Sequence, residues 1–522
     1  MSTYWRVLIS LLLLFAMQFA GIPVSAAPQE PPSAISATHI TQANIHKAVA
    51  SLAGFAQALQ KKTGVPGIAI AVVRGDKVLY ARGFGVRKIG TTLRVDANTV
   101  FQLASVSKSL ASTVVAGAVG QGRVKWTDPV AKYLPGFTLS DPYVGSHVTI
   151  EDMFSHRSGL PDHAGDLLED LGYSRADVLS RLALEPLDPF RITYHYTNFG
   201  LTAAAQAVAN AEGMTWSALS QHILYGPLGM TSTSSRWSDY HNNANHATLA
   251  VKRNGMWINS SREPDAQSPA GGASSSVNDL AKWMMLELSE GKYHGKQIID
   301  RAALLQTQQP LMLTKPANPP NRGSFYGLGM GVSYDEAGFL RLSHSGAFES
   351  GAATTYAMLP AAHLGIVVLT NGEPMGVPEA IAMQFYDVVE FGKVQRDWPS
   401  LLFSAFAQLM APTGDLVGKT PPAHPNPALP LDAYVGRYVN TYYGPATVTV
   451  KNGVLLLAIG KTGKFTLRHW DGNAFSLQPS GENAPGLTSA TFTPASTAHA
   501  AKLTIDYLNA NGLGTFVRGP LY

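Results

Sequence analysis

Cysteine is absent from the 522 residues of this chain, so it can form neither disulfide bonds nor thiolate metal sites. Charge is scarce as well. Charged residues make up 14% of the sequence, against about 25% in typical globular domains, and the formal net charge is only +4. No run of Lys or Arg alternates with aromatic residues, which argues against nucleic-acid binding. These shortages favour a compact globular protein that is held together by its core.

Long apolar runs are missing beyond the N-terminus, where residues 7–16 read VLISLLLLFA. A basic residue precedes this run and the small residues VSA follow at 24–26, which is the three-part form of a secretory signal cleaved after residue 26. An uncleaved anchor helix is the alternative, but the run is short and is broken by Gln18 and Pro23. The sequence therefore predicts a periplasmic or secreted protein with no stable membrane span after signal cleavage.

The length suggests two to four folded units, at about 100–200 residues per domain. An early strand hairpin, a mainly helical middle and later strands indicate an α+β unit whose sheet is interrupted by a helical insertion. A proline-rich stretch then precedes a region with Asn-Gly and Asp-Gly hairpin turns, which predicts a small all-β barrel or sandwich. The predicted segments are a signal peptide at 1–26, a flexible leader at 27–40, a main domain at 41–400, a linker at 411–430 and a β domain at 431–522.

The stretch FQLASVSKSL, residues 101–110, places Ser105 three residues before Lys108. On a helix these positions share one face, so the lysine amine can reach the serine oxygen and act as its base. Apolar flanking residues would desolvate the amine and lower its pKa toward neutrality. The same spacing recurs at Ser289 and Lys292, but Gly291 interrupts that helix in a polar stretch. We therefore expect the first pair to be functional and the second to be structural.

Two further patterns follow along the chain, YTN at Tyr196 to Asn198 and HSG at His344 to Gly346. A phenol can relay protons, an amide can orient a lysine and a substrate, and a histidine can hold a substrate carboxylate or carbonyl. A glycine in a strand allows close approach of a backbone. A second Tyr-x-Asn begins at Tyr438, and a Lys-Thr-Gly lies at residues 461–463, but these two patterns are too close together for the same arrangement. We interpret the Lys-Thr-Gly as a β-turn.

FQLASVSKSL, YTN and HSG, in that order, resemble the serine β-lactamase and penicillin-binding-protein superfamily. The likeness is to its class C-like branch, which includes D,D-peptidases, D-aminopeptidases and family VIII-type esterases. MFSHRSGLPDH, PAGGASSSVNDLAKWM and YGLGMGV support it, and it covers roughly residues 40–395. The resemblance implies an antiparallel sheet flanked by helices, with an inserted helical subdomain, followed by a small lipocalin-like barrel.

The resemblance also implies an acyl-enzyme mechanism. Ser105 would attack a carbonyl, Lys108 and Tyr196 would share the proton transfer, with the acylation base left open between them, and Asn198 would orient. His344 and Gly346 would contact substrate. The backbone N–H groups of Ser105 and Ala347 would form the oxyanion hole, each contributing about 3 kcal/mol to the transition state. Neither a metal nor an organic cofactor is implied.

The third motif departs from efficient class C β-lactamases, which carry Lys-Thr-Gly where this chain has His-Ser-Gly. Histidine is only partly charged near neutrality, so it should hold a free carboxylate less firmly than lysine. The leading hypothesis is an exported serine hydrolase of small amides or peptides with a D-amino-acid preference. A carboxylesterase or a weak β-lactamase is the nearest alternative, and a penicillin-binding cell-wall sensor without turnover is another. The expected partners are a small-molecule or peptide substrate of cell-wall type and further copies of the chain in a homo-oligomer.

Overall fold

The computed structural model describes residues 40–318, 322–335, 338–495 and 499–519. The signal peptide predicted for residues 1–26 lies outside the described residues, as does the predicted leader up to residue 39. Within the described ranges, no helix has both the length and the apolar character needed to cross a membrane.

The strands up to residue 370 form one large sheet and three small two-stranded pairs. In chain order they are β1 (Gly67–Arg74), β2 (Lys77–Gly85), β3 (Phe101–Gln102), β4 (Ala250–Arg253), β5 (Met256–Asn259), β6 (Ser274–Ser275), β7 (Lys292–Tyr293), β8 (Lys296–Gln297), β9 (Met312–Lys315), β10 (Ser324–Tyr326), β11 (Gly331–Tyr334), β12 (Leu340–Phe348), β13 (Ala352–Leu359) and β14 (Leu364–Thr370). The large sheet has the order β2-β1-β14-β13-β12-β11-β10-β9, and each pair in it is antiparallel. The late strands thus return to the first hairpin, as the sequence predicts.

The helices cover both faces of this sheet. They are α1 (Gln42–Thr63), α2 (Ser107–Gly120), α3 (Pro142–His147), α4 (Ile150–Phe154), α5 (Asp166–Asp170), α6 (Arg175–Arg181), α7 (Asn198–Ala211), α8 (Trp216–Ser220), α9 (Trp237–Asn242), α10 (Ser268–Gly271), α11 (Val277–Leu288), α12 (Arg301–Thr307), α13 (Val377–Phe391) and α14 (Trp398–Leu409). Helices α2 to α12 are inserted between β2 and β9, which confirms the predicted helical insertion.

The alternation of side chains along β1 explains why helices pack on both faces of the sheet. Successive side chains of a strand point to opposite faces, and GIAIAVV is apolar at every position, so both faces must be covered. Ile68 and Ile70 pack in the core with α1 and α13, whereas Ala69 and Ala71 belong to the larger core that contains α2 and α11. Short alanine side chains on that second face leave room for α11, which packs against β1.

A closed antiparallel barrel follows the large sheet and its helices along the chain. Its strands are β15 (Gly436–Val439), β16 (Ala446–Lys451), β17 (Val454–Ile459), β18 (Gly463–Asp471), β19 (Ala474–Leu477), β20 (Thr488–Pro494), β21 (Ala500–Ile505) and β22 (Thr515–Arg518). Alternate residues such as Val448, Leu457 and Phe492 fill the barrel core. The predicted all-β barrel is confirmed. Closure leaves no exposed sheet edge.

The proline-rich segment at 411–430 runs along the barrel and forms hydrogen bonds with it. The backbone N–H groups of Thr413 and Gly414 donate to the Pro485 carbonyl at 2.8 and 2.7 Å. The Asp415 carboxylate accepts from the hydroxyl of Thr488 at 2.8 Å and from the N–H of Ser489 at 2.9 Å. The segment therefore packs against the β domain over part of its length.

The Lys-Thr-Gly at 461–463 is a turn, as expected, between β17 and β18, and it also docks the barrel onto α5. The N–H groups of Lys461 and Thr462 donate to the carbonyl of Leu171, just beyond α5, at 2.8 and 3.3 Å. A Cβ at the preceding Gly460, whose φ is +62°, would lie 2.6 Å from the Leu171 carbonyl oxygen. Position 460 must therefore lack a side chain where the turn meets the end of the helix.

We expect Gly460→Ala to destabilise the protein by about 1–3 kcal/mol more than Gly453→Ala, measured by urea denaturation. Both glycines have positive φ and share the backbone cost of alanine, but a Cβ at Gly453 meets no atom within 4 Å. Equal losses in the two variants would show that the close contact with Leu171 contributes nothing.

Candidate active site

Ser105 sits on a tight turn that feeds into helix α2. The turn is anchored on one side because β3 pairs with β6. Ala104 has φ of +47°, a left-handed conformation that is costly for a residue with a Cβ. Within residues 101–110, Ser105 alone keeps partial exposure and the other positions are buried. The strained turn thus presents one hydroxyl at the surface of a closed core.

The Lys108 amine lies within hydrogen-bonding distance of Ser105. Its Nζ is 3.1 Å from the Ser105 Oγ, 2.6 Å from the Asn198 Oδ1 and 3.0 Å from the Ala270 carbonyl oxygen. The Lys108 side chain is fully buried. The spacing argument from the sequence, an i, i+3 pair on one helical face, agrees with this geometry.

Burial controls the charge of Lys108. Loss of hydration disfavours the ammonium form and lowers the Lys108 pKa from 10.5 to about 7, while the negative charge of Asp166 partly offsets that effect. The amine makes no direct contact with a carboxylate, because Asn198 lies between it and Asp166. Near neutral pH a substantial fraction of Lys108 is therefore an unprotonated amine beside the Ser105 hydroxyl.

Asp166 is a site residue that the sequence reasoning missed. Its carboxylate is buried at the start of α5, where the Asp166 Oδ2 accepts from the Asn198 Nδ2 at 2.7 Å and contacts the His163 Nδ1 at 2.8 Å. Asp166 thereby fixes the amide orientation that lets Asn198 accept from Lys108. No local pattern marked it, since an aspartate in a loop followed by a short helix is common.

Tyr196 lies directly over the lysine. Its ring centroid is 4.5 Å from the Lys108 Nζ, and its phenol shares a hydrogen bond with the Ser105 side chain. Burial raises the Tyr196 pKa above its usual value, so the phenol stays protonated. The buried His156 ring packs 4.5 Å from the Tyr196 ring and its Nδ1 accepts from the Thr197 N–H at 3.2 Å.

His156 and His163 also lie at the site. Both rings flank Tyr196, at 4.5 and 5.8 Å between ring centroids. Burial, followed by the positive charge of Lys108, holds the His156 pKa well below 6.5. His156 is thus a neutral packing partner of the tyrosine.

His344 faces the same cleft from strand β12, but it is not the cation that the third motif usually supplies. Burial and the nearby Lys108 charge lower its pKa to about 3. Its Nδ1 lies 2.6 Å from its neighbour's carbonyl, that of Ser345, and its Nε2 lies 2.8 Å from the Tyr326 hydroxyl. A neutral ring satisfies both contacts when Nδ1 donates and Nε2 accepts from Tyr326. The expectation of a partly charged histidine is replaced by that of a neutral, oriented one.

Gly346 and Ala347 bring β12 against the Ser105 turn. Pairing of β12 with β11 ends at Ser343, so the following residues present a free edge toward the turn. A Cβ at Gly346 would lie 2.2 Å from the Leu103 carbonyl oxygen and 3.0 Å from the Ser105 nitrogen. The sequence suggested that this glycine makes room for a substrate backbone. The structure shows that it makes room for the Ser105 turn.

Across the residues that the structure describes, no group of three or more His, Asp or Glu side chains could hold a metal ion. The chemistry available at the site is that of a hydroxyl, an amine, a phenol and a set of oriented amides.

Comparison with known proteins decides the family. Residues 52–387 match the family model described as Beta-lactamase. The chain belongs to the β-lactamase family. Residues 420–512 match a second model, described as Domain of unknown function (DUF3471), which covers most of the barrel. The resemblance to the serine β-lactamase and penicillin-binding-protein superfamily is thus confirmed.

Curated relatives of this β-lactamase-family chain are hydrolases and penicillin-binding proteins. The Unguisins hydrolase ungD of Aspergillus violaceofuscus is 28% identical and covers 73% of each chain. The D-alanyl-D-alanine-carboxypeptidase/endopeptidase AmpH of Escherichia coli is 26% identical over 60% of this chain and 81% of its own length. Penicillin-binding protein 4 of Amycolatopsis lactamdurans is 28% identical over 60% and 83%.

Solved structures share the fold. An octameric penicillin-binding protein homologue from Pyrococcus abyssi has a TM-score of 0.58 at 19% identity and covers 88% of this chain and 98% of its own. A class C β-lactamase from Rhodobacter sphaeroides has a TM-score of 0.54 at 20% identity, covering 65% and 98%. The predicted β-lactamase-like fold with an appended barrel is confirmed.

We expect Gly346→Ala to lower kcat/KM by about 100-fold on any substrate that the protein cleaves, because the added Cβ pushes β12 away from the Ser105 turn. Ser345→Ala is the control, since the Ser345 hydroxyl bonds to Thr355, away from Ser105. Comparable activity in wild type and Gly346→Ala would contradict the close packing of strand and turn.

Proposed function

We propose that this protein is an exported serine hydrolase that cleaves small amide or peptide substrates through an acyl-enzyme. The observation that carries the proposal is the buried Lys108 amine, 3.1 Å from the Ser105 hydroxyl, with a pKa of about 7. A serine needs an adjacent base to become a nucleophile, and a lysine can be that base only if a substantial fraction of its amine is uncharged. Both conditions are met at this pair.

In the acylation step, the Ser105 Oγ bonds to the substrate carbonyl carbon while its proton passes to the Lys108 Nζ. The carbonyl oxygen becomes an oxyanion, which the backbone N–H groups of Ser105 and Ala347 would stabilise. Collapse of this intermediate breaks the bond to the leaving amine, which takes a proton relayed through Lys108 and Tyr196. Water then adds to the ester and releases the acid and free Ser105.

Lys108 is the better candidate for the acylation base. Burial raises the Tyr196 pKa, so a tyrosinate would be expensive to form, whereas the same burial lowers the Lys108 pKa toward working pH. Tyr196 then acts as a protonated donor that relays a proton to the leaving group. Desolvation accounts for both roles, because it disfavours the charged form of each residue.

The neutral state of His344 bears on the substrate. Its lowered pKa leaves the ring without a positive charge for a free carboxylate, and neighbours engage both Nδ1 and Nε2. Penicillins and D,D-peptides carry such a carboxylate next to the scissile bond, whereas amides and esters without it need no cation there. The neutral His344 therefore favours substrates that carry no carboxylate next to the scissile bond. A carboxylesterase is the second candidate, because an ester meets the same condition, and a weak β-lactamase or a binding-only sensor ranks lower.

The name of one relative, the D-alanyl-D-alanine-carboxypeptidase/endopeptidase AmpH, is consistent with cleavage of peptide bonds. Export through the N-terminal signal at residues 1–26 would place the enzyme in the periplasm or outside the cell. Assembly into a homo-oligomer is part of the same proposal, because the Pyrococcus abyssi homologue is octameric.

A substrate panel tests this function. We expect wild type to cleave D-aminoacyl amides and short-chain p-nitrophenyl esters faster than nitrocefin, and Ser105→Ala to lose at least about 1,000-fold on each substrate. Ser289→Ala is the matched control because it removes the serine of the other Ser-x-x-Lys pair.

Full activity of Ser105→Ala would overturn the mechanism. Permanent labelling by a fluorescent penicillin, with no product released from any substrate, would support the sensor instead. Preferential hydrolysis of nitrocefin would contradict the role given to the neutral His344.

The pH profile tests the base. We expect kcat/KM to fall as the pH drops below about 7, because protonation of Lys108 removes the base. Asp166→Asn should move this midpoint to lower pH, since its negative charge favours the ammonium form. The exposed Asp162, whose side chain is 58% exposed, provides the control Asp162→Asn, which should leave the midpoint in place. A midpoint that rises or stays fixed in Asp166→Asn would contradict the assignment.

A further inference from the structure

One loop of the barrel contacts both walls of the candidate site. It joins β19 to β20 and carries Gly481, Glu482 and Asn483, which we call the clasp. We propose that the clasp positions the helix α5 wall and the strand β12 wall relative to each other, so that Glu482 and Asp170 are positioning residues for the reaction at Ser105. This inference rests on the proposed function of Ser105 and Lys108.

The first wall is helix α5. The Asp170 carboxylate, at its last residue, accepts from the backbone N–H groups of Glu482 at 3.0 Å and Asn483 at 2.8 Å. The Asn483 amide also donates to the backbone carbonyl of Asp166, at the first residue of the helix, at 3.4 Å. The clasp thus holds a helix of little more than one turn at both ends. The same Asp166 holds Asn198, which accepts from Lys108.

The fit of the clasp to Asp170 requires a glycine. Gly481 has φ of +127°, and a Cβ there would lie 2.6 Å from the Asp170 Cγ. A residue with a side chain could adopt neither the backbone conformation nor the close approach. The contact is therefore a built feature of the loop.

The second wall is strand β12. The Glu482 carboxylate accepts from the Glu349 N–H at 2.5 Å, from the Ser350 N–H at 3.2 Å and from the Ser350 hydroxyl at 2.8 Å. These two residues directly follow β12, the strand that carries His344, Gly346 and Ala347. One side chain of the barrel therefore fixes the end of the strand that packs on the Ser105 turn.

Arg262 joins the two walls through the clasp. Its guanidinium pairs with Glu482 at 3.0 Å and with Glu169 of α5 at 2.8 Å, and it stacks over the Phe348 ring, at the end of β12, at 4.4 Å. The arginine side chain is only 9% exposed. Loss of one partner in such a pair leaves a buried charge without compensation, so the surrounding groups must rearrange.

Docking alone does not explain this arrangement. Other barrel contacts serve that purpose without reaching the site, such as the Tyr173 hydroxyl, which donates to the Tyr443 carbonyl at 2.7 Å. The clasp differs because Asn483 contacts Asp166, which holds Asn198 and through it Lys108. On the other side, Glu482 contacts Glu349, two residues after Ala347. The barrel thereby becomes part of the catalytic unit.

The test compares Glu482→Ala, Glu482→Gln and Asp170→Asn in the full-length protein, on the best substrate of the panel. We expect Glu482→Ala to lower kcat about 10- to 100-fold with a smaller change in KM, since misplacement by about 1 Å is sufficient for such a loss. Glu482→Gln keeps an acceptor oxygen and should recover part of the rate. In Asp170→Asn the new NH2 group faces one of the two backbone N–H groups that now donate to the carboxylate, so this variant should also lower kcat. It keeps the test informative if Glu482→Ala fails to fold.

Tyr173→Phe is the matched control, because it removes one buried hydrogen bond at the same interface without touching the clasp. It should lower the melting temperature while kcat stays within about twofold of wild type. The rate at which a fluorescent penicillin acylates Ser105 provides a second readout, and it should fall in the clasp variants only.

Wild-type kcat in folded Glu482→Ala and Asp170→Asn would overturn the clasp, as would an equal loss of kcat in Tyr173→Phe. Failure of the proposed function gives a different result, because Ser105→Ala would then remain active whatever the clasp variants do.

Discussion

The burial of one amine is the constraint on which the rest of this structure depends. A lysine side chain removed from water loses several kcal/mol of hydration if it stays charged, so the fold must either pair it or let it lose its proton. Here the partners of Lys108 are a hydroxyl, an amide oxygen and a carbonyl oxygen. The carboxylate of Asp166 does not contact the amine, because the Asn198 amide lies between them. Helix α5 supplies Asp166, the first residue of α7 is Asn198, and α10 supplies the Ala270 carbonyl.

The same constraint explains why neighbouring groups are neutral. Burial lowers the pKa values of His156 and His344, and the partial positive charge of Lys108 lowers them further in a site of low dielectric constant. The third motif therefore supplies shape and hydrogen-bond direction where related enzymes supply a lysine. Substrate choice then depends on which substrate groups fit between the α5 wall and the β12 wall. The barrel helps to hold these walls in place through Glu482.

Much of this arrangement was predictable from sequence, and the reasons are local. Ser105 and Lys108 share a helical face, apolar flanks indicated burial, and hairpin turns marked the barrel strands. Asp166, Tyr326 and Glu482 were not predictable, because each reaches the site only through tertiary contacts between segments far apart in the chain. The turn at Lys461 was predictable only in part, because its sequence predicted a turn but not the contact of that turn with Leu171.

Direct titration of Lys108 tests the central claim, that burial lowers the pKa of this amine to about 7, so that a substantial fraction is unprotonated beside Ser105 at neutral pH. Lysine labelled with ¹³C at Cε, with the Lys108 signal assigned by its loss in Lys108→Met, reports the protonation of each amine by NMR. The account predicts a midpoint of about 7 for Lys108. A Lys108 midpoint near 10.5 would contradict it, because the ammonium would then persist at the pH where the base is needed.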